Sequence, residues 1–313
     1  MENALRLPTR AQISKWVIYS LIGGLFLTLP LAPPLIPKAA AAACTVTSTP
    51  IGSQTVVVFS TVGGCEWLVP NQVTSVRVLV VGGGSSGGAG VAAQWWPQGG
   101  GGGAVVSDLN FQTSPGTSID VVVGAGGDSI TVQGAASTSV NNGGQSKFST
   151  LTANGGVAPD NTKAPGGTSG NGNLGGASGG TYISGGGGGA GGAASGTTGG
   201  PGVNSDITGA TVMYGSGGAG SSGNTGSASS GGGSNGSPPI ANRGGGGSQP
   251  SSSSGLASAG AAGAVIVRYT TPTNSNPTLS FSANGGSGTV PSRSETPGVT
   301  IALPNGSTLS KRN

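Results

Sequence analysis

From Thr152 to Ala262 the chain keeps returning to glycine: GGGGGAGG from Gly185, GSGGAG from Gly215, GGGSNG from Gly231 and RGGGGS from Arg243, with Ser, Thr, Asn and Ala between them. Glycine inside a helix or strand costs about 0.5–1 kcal/mol relative to alanine, and it offers no side chain to pack. An ordinary α or β reading of this region therefore fails. The glycines follow no Gly-X-Y period, which excludes a collagen triple helix. Two conformations remain: a flexible Gly/Ser linker, or extended polyproline-II-like helices packed side by side. Such a helix has three residues per turn and no internal hydrogen bonds, so its amides can bond to neighbouring helices where no side chains intervene. The region closes on GAVIVRYT, Gly263 to Thr270, a strand with Val265 and Val267 on one face and Ile266 and Arg268 on the other. A linker needs no closing strand, whereas an insertion within a β domain does, so the ordered conformation is favoured.

Glycine (67 residues) and proline (20) fill more than a quarter of the 313 positions, the range in which disorder is a serious expectation. Disorder ordinarily couples low hydrophobicity to high charge, and only 6% of this chain is charged. The formal charge of +4 is concentrated at the start, where Arg6, Arg10, Lys15 and Lys38 lie. From Cys44 onward the basic and acidic residues nearly balance and are scattered singly. Phosphate neutralisation requires clustered cations, so no nucleic-acid partner is expected. The chain has no histidine, which removes the commonest general base and metal ligand. The acids after the leader, Glu66, Asp108, Asp120, Asp128, Asp160, Asp206 and Glu295, never fall close together in sequence. No catalytic, metal-binding or cofactor-binding residues are expected and the protein is not expected to be an enzyme; an enzyme, built on two of these acids meeting in space as a carboxylate pair, is the distant alternative.

Residues 1–43 carry the three parts of an export signal: a basic start, the apolar run WVIYSLIGGLFLTLPLAPPLIP, and the small residues of KAAAAAC. Trp16 to Leu29 is short for a membrane span of about 20 residues, so cleavage is expected to leave no stable span. An uncleaved anchor is the alternative. The chain has two cysteines, Cys44 and Cys65, both in the exported part, and an even count outside the cell points to one disulfide.

The exported part opens with Val-, Ile- and Thr-rich stretches between glycines: Thr55 to Ser60, Thr74 to Val81, Gly103 to Phe111, Thr117 to Gly124 and Asp128 to Gln133. In TSVRVLVV, Val76, Val78 and Val80 share a face, with Arg77 opposite. Short strands without a helical period predict a mainly β fold, an antiparallel sandwich-like frame with glycine-rich insertions. The expected organisation is a signal peptide (1–43), a glycine-rich β domain (44–270; strand-rich 44–151, glycine-rich 152–262, closing strand 263–270), a linker (271–277) and a distinct tail (278–313).

CEWLVP, VRVLVVGGG, GGGGGAVV, VVVGAGG and GAVIVRYT together resemble the glycine-rich domain of exported bacterial surface proteins. They are similar in style to the glycine-rich tip adhesins of tailed phages and to a glycine-rich ectodomain of an animal receptor kinase. The resemblance implies a sandwich-like frame carrying bundled polyglycine helices, with no catalytic residues. SASS (Ser227 to Ser230) and SSSS (Ser251 to Ser254) depart from it by interrupting the glycines. In the tail, LSFSANGGSGTVP and GVTIALPNGSTLS resemble the opening half of the Listeria–Bacteroides repeat, a β-grasp-like unit of bacterial surface proteins. That family continues with an aromatic segment which does not follow here, and a longer parent protein is expected.

Gly82, Gly84 and Gly87 match GxGxxG, the spacing of a dinucleotide-binding turn. Pro97 and the five glycines after Gln98 leave no room for the helix such a turn requires, so these glycines are read as structural. Trp95, Trp96, Tyr182 and Tyr214 sit on short interruptions of the glycine region, where exposed aromatics would be contacts for sugars or proteins. The alternative is that they plug the glycine region or cover the sheet. The expected function is an exported cell-surface or secreted structural or adhesive protein, whose glycine-rich scaffold displays binding loops toward surface glycans, proteins of another cell or the cell wall. A passive, flexible cell-wall stalk is the second reading.

Overall fold

The strands are, in chain order, β1 (Val46–Ile51), β2 (Gln54–Phe59), β3 (Gly63–Leu68), β4 (Ser75–Val81), β5 (Val105–Gln112), β6 (Ser118–Val123) and β7 (Ile130–Thr131). There follow β8 (Ser146–Phe148), β9 (Leu151–Ala153), β10 (Val203–Ser205), β11 (Val212–Tyr214), β12 (Leu256–Ala257), β13 (Ala264–Thr270), β14 (Thr278–Leu279) and β15 (Arg293–Ser294). This computed structural model describes residues 44–88, 97–131, 141–160, 165–177, 179, 183–221, 227–250, 256–273, 278–279 and 293–294, and they contain no helix. The leader, Trp95, Trp96, Tyr182 and most of the tail lie outside the described residues.

Two antiparallel sheets form the frame, one in the order β1-β2-β13-β4-β5 and the other β3-β6-β8-β9. The alternation read from the sequence sets their faces. Val57 and Phe59, Val76, Val78 and Val80, and Val265 and Val267 all point inward, where they meet Trp67, Val121, Val123 and Phe148 of the second sheet. Each such burial stabilises by roughly 1.5–3 kcal/mol. Trp67 is the aromatic centre of this core, its ring 6.3 Å from Phe59, 6.0 Å from Phe148 and 6.1 Å from Tyr269.

The closing strand β13 is central, pairing β2 on one side and β4 on the other. A glycine-rich excursion of more than a hundred residues thus returns to complete the middle of the sheet. Cys44 and Cys65 form the expected disulfide, with Cα atoms 5.0 Å apart. Cys44 precedes edge strand β1, and Cys65 lies on β3, the edge of the other sheet, so the bond staples the two layers at one side.

The long strands fall within a residue or two of their expected positions. The exceptions have physical causes: β1 is exposed along almost its whole length and contains Pro50, and β3 opens with two glycines, so neither carries the alternation of a half-buried strand. In the tail, β14 and β15 pair antiparallel.

Candidate functional site

β4, β6 and β9 run directly into glycine segments, and β5 and β13 emerge from them. The amides of the first segment, 82–88, follow a period of three. Gly82, Ser85 and Gly88 donate to the carbonyls of Ala104, Gly101 and Gln98. Gly83 and Ser86 donate to Gly144 and Asn141, and Gly84 and Gly87 to Ala261 and Ser258. Three neighbours served in rotation, each at every third residue, is the pattern of a helix with three residues per turn and no internal bonds.

Segment 97–104 lies at the centre of the bundle. It accepts from segment 82–88, from Gly167 and Gly170, and from Gly218. It donates through Gly99 and Gly102 to Gly185 and Gly188, through Gly100 and Gly103 to Gly247 and Gly244, and through Ala104 to Asn154. Six neighbouring segments surround it, so the glycine region is a close-packed lattice. A Cβ on Gly101 would run into the Thr168 carbonyl, and one on Gly84 into that of Gly245. Glycine is a packing requirement here.

At several positions where serine stands among the glycines, its hydroxyl takes up backbone bonding, as at Ser184, Ser248 and Ser229. Fully buried Ser184 donates to the Pro97 carbonyl at 2.5 Å and accepts from the Ser221 amide at 3.0 Å. Buried Ser248 and Ser258 bond to one another, and Ser258 accepts from the Ser248 amide at 2.7 Å. The stretch SASS does not break the lattice: the Ser227 carbonyl accepts from Gly199, and the Ser229 hydroxyl donates to the Gly199 carbonyl at 2.7 Å. Ser251 to Ser254 lie outside the described residues.

The two ends of the lattice differ. At the sandwich end the described turns are short, and β10 and β11 fold back over the outer face of the larger sheet. There Ile207 and Tyr214 join Val56, Leu79, Val81 and Ile266 in a second apolar cluster. Tyr214 is only 4% exposed, so the expectation that it serves as a surface contact is corrected: it covers the sheet. Burial raises its phenol pKa above the ordinary tyrosine value. Beside it, Arg77 pairs with Asp206 at 2.7 Å, and this hydrogen bond and charge lower the Asp206 pKa. A cleft of about 340 Å³ lies between β4, β5 and β10, with this ion pair in its wall.

At the far end, Gly88 donates to Gln98, Ser86 to Asn141 and Ser184 to Ser221, and the Gln249 carbonyl accepts from Gly236. Gly88, Pro97, Asn141, Ser221 and Pro250 each border a stretch that lies outside the described residues: 89–96, 132–140, 222–226 or 251–255. Trp95 and Trp96 belong to the first of these and Tyr182 to another, next to Ile183. Among the described residues, no three of Cys, Asp and Glu gather in an arrangement that could hold a metal ion.

Residues 60–270 match the family model described as a glycine-rich domain. The chain belongs to that family. No curated protein matches it. For this glycine-rich domain, the GxGxxG match takes its structural meaning from the lattice: the amides of Gly82, Gly84 and Gly87 are already bonded to Ala104, Ala261 and Ser258.

Proposed function

We propose that this glycine-rich domain is a non-enzymatic adhesive or structural module of an exported protein, in which the lattice is a stiff post and its far end is the binding surface. One observation carries the reading. The described residues flanking 89–96, 132–140, 222–226 and 251–255 gather at the lattice end away from the sandwich, and Trp95 and Trp96 belong in sequence to the first of these stretches. Many cross-bonded segments make a rigid support, and binding residues are ordinarily presented from such a scaffold.

The exported location rests on the leader sequence, and a disulfide between Cys44 and Cys65 is in keeping with an oxidising compartment. The tail's resemblance to a Listeria–Bacteroides repeat fits a modular surface protein. Surface glycans or proteins of another cell, or the cell wall, are the partners this reading implies.

Two measurements test it. Intact mass of the exported protein is expected to place its first residue near Cys44; a mass retaining Trp16 would overturn the cleaved leader. Trp95→Ala combined with Trp96→Ala is expected to abolish binding to cells or glycan arrays while leaving the thermal unfolding curve unchanged. Binding that survives both substitutions would remove these aromatics as the contact.

A further inference from the structure

Strand order determines how the sandwich takes a pull. Val46 at the start of β1 pairs with Phe59, and Val265 near the start of β13 pairs with the same residue, so both strands begin at the lattice end. Thr270, at the end of β13, pairs with Gln54 at the opposite pole. β1 and β13 thus run in the same direction, each antiparallel to β2 between them. Tension between the two ends of the domain acts along the strands. It drives β13 lengthwise out of the slot between β2 and β4, where it is held from Val265 to Thr270 on one side and from Ala264 to Arg268 on the other. All rungs of both ladders then bear load together, whereas a ladder peeled from one end breaks rung by rung.

The lattice lies off this path. Its segments leave the sandwich after Val81, Val123 and Ala153 and return before Val105, Ser146 and Ala264, all at the lattice end. The disulfide narrows the path further. Tension arriving at Cys44 crosses to Cys65 through a covalent bond, so β1 and β2 sit inside a closed loop and cannot be drawn out.

We propose that the sandwich is a tension clamp: β13, locked in shear between β2 and β4, keeps the glycine lattice folded while the chain is pulled between its ends. The clamp acts wherever the protein resides and whatever its far end binds. Forced unfolding reads the unfolding rate under load directly, so single-molecule force spectroscopy is the test. The full chain is held by its two ends and compared with an N204C chain held by its N-terminal end and the new cysteine, because Asn204 is exposed on the excursion. The end-to-end pull is expected to give one high-force rupture, with the lattice length released only afterwards. The pull on Asn204 is expected to give smaller steps at lower force, as the excursion peels away. Reducing agent is expected to lengthen the released chain by about 70 Å, the span of the 21-residue separation between the cysteines. Equal forces in the two geometries, or lattice-sized steps before the main rupture, would overturn the clamp. An unchanged length on reduction would overturn the disulfide's part in it.

Discussion

Arg77 on β4 donates to the Asp206 carboxylate at 2.7 Å across 129 residues of sequence, fastening the glycine-rich excursion to the sandwich it left. Arg268 on neighbouring β13 reaches the Asp206 carbonyl at 3.3 Å, so two adjacent strands grip the same turn. The excursion thereby covers the outer face of the sheet as well as building the lattice beyond it.

The Arg77 pair makes a small part of the stability pH-dependent. Asp206 has a lowered pKa when folded, so its contribution is fully present above the ordinary carboxylate value of about 4 and is lost as pH falls through the lowered one. Asp206→Asn is expected to shift the urea midpoint slightly downward at neutral pH, as exposed pairs are weak. In acid the two midpoints are expected to converge. A gap of constant size across the titration would mean that the carboxylate's charge is not the cause.

Tyr214 acts at the other end of the pH scale. Burial raises its pKa, so the folded state keeps the proton, and the stability this represents is present below about pH 10 and lost as pH rises further. Tyr214→Phe retains the ring against Leu79 and Ile266 but cannot ionise. Alkaline unfolding followed by circular dichroism is expected to move to higher pH in this variant.

Two glycines of contrasting surroundings test the packing argument. Gly101→Ala places a methyl against the Thr168 and Val157 carbonyls and is expected to cost about 3 kcal/mol or more by denaturant unfolding. Gly64→Ala meets nothing closer than the Val122 Cγ2 at 3.9 Å and has no left-handed backbone. It is expected to be neutral or to stabilise by up to about 1 kcal/mol through the unfolded chain. Equal costs at both sites would contradict a close-packed lattice.

Reduction of the Cys44–Cys65 bond frees a loop of 21-residue separation and is expected to lower stability by about 3 kcal/mol on the chain-entropy account. Comparing denaturation midpoints of the oxidised protein and of Cys44→Ser with Cys65→Ser measures this.

Deuterium exchange separates a lattice from a linker. The amides of Gly99, Gly100, Gly187 and Gly246 donate to carbonyls of other segments and are expected to exchange orders of magnitude more slowly than open chain. Uniformly fast exchange across Gly185 to Gly247 would mean that these bonds do not persist in solution.

By itself the sequence determined the long frame strands β2, β4, β5, β6 and β13, because runs such as VRVLVV and AVIVRY place Val at every second position and so on one face. It also determined that the glycine region needs close neighbours or none, since a side chain would block the bonds a three-residue helix must make with others. Those properties are local, carried by period and by the size of each residue. The tertiary structure decided which segment neighbours which, because a glycine offers the same amide and carbonyl to any partner and no side chain to mark its address. It also decided the fate of Tyr214. In sequence this residue looks like an aromatic left exposed between glycines, and it became core only because β10 and β11 fold back over Leu79, Val81 and Ile266. Contacts across more than a hundred residues depend on where the chain returns, and the closing strand β13 sets that point by completing the centre of the sheet.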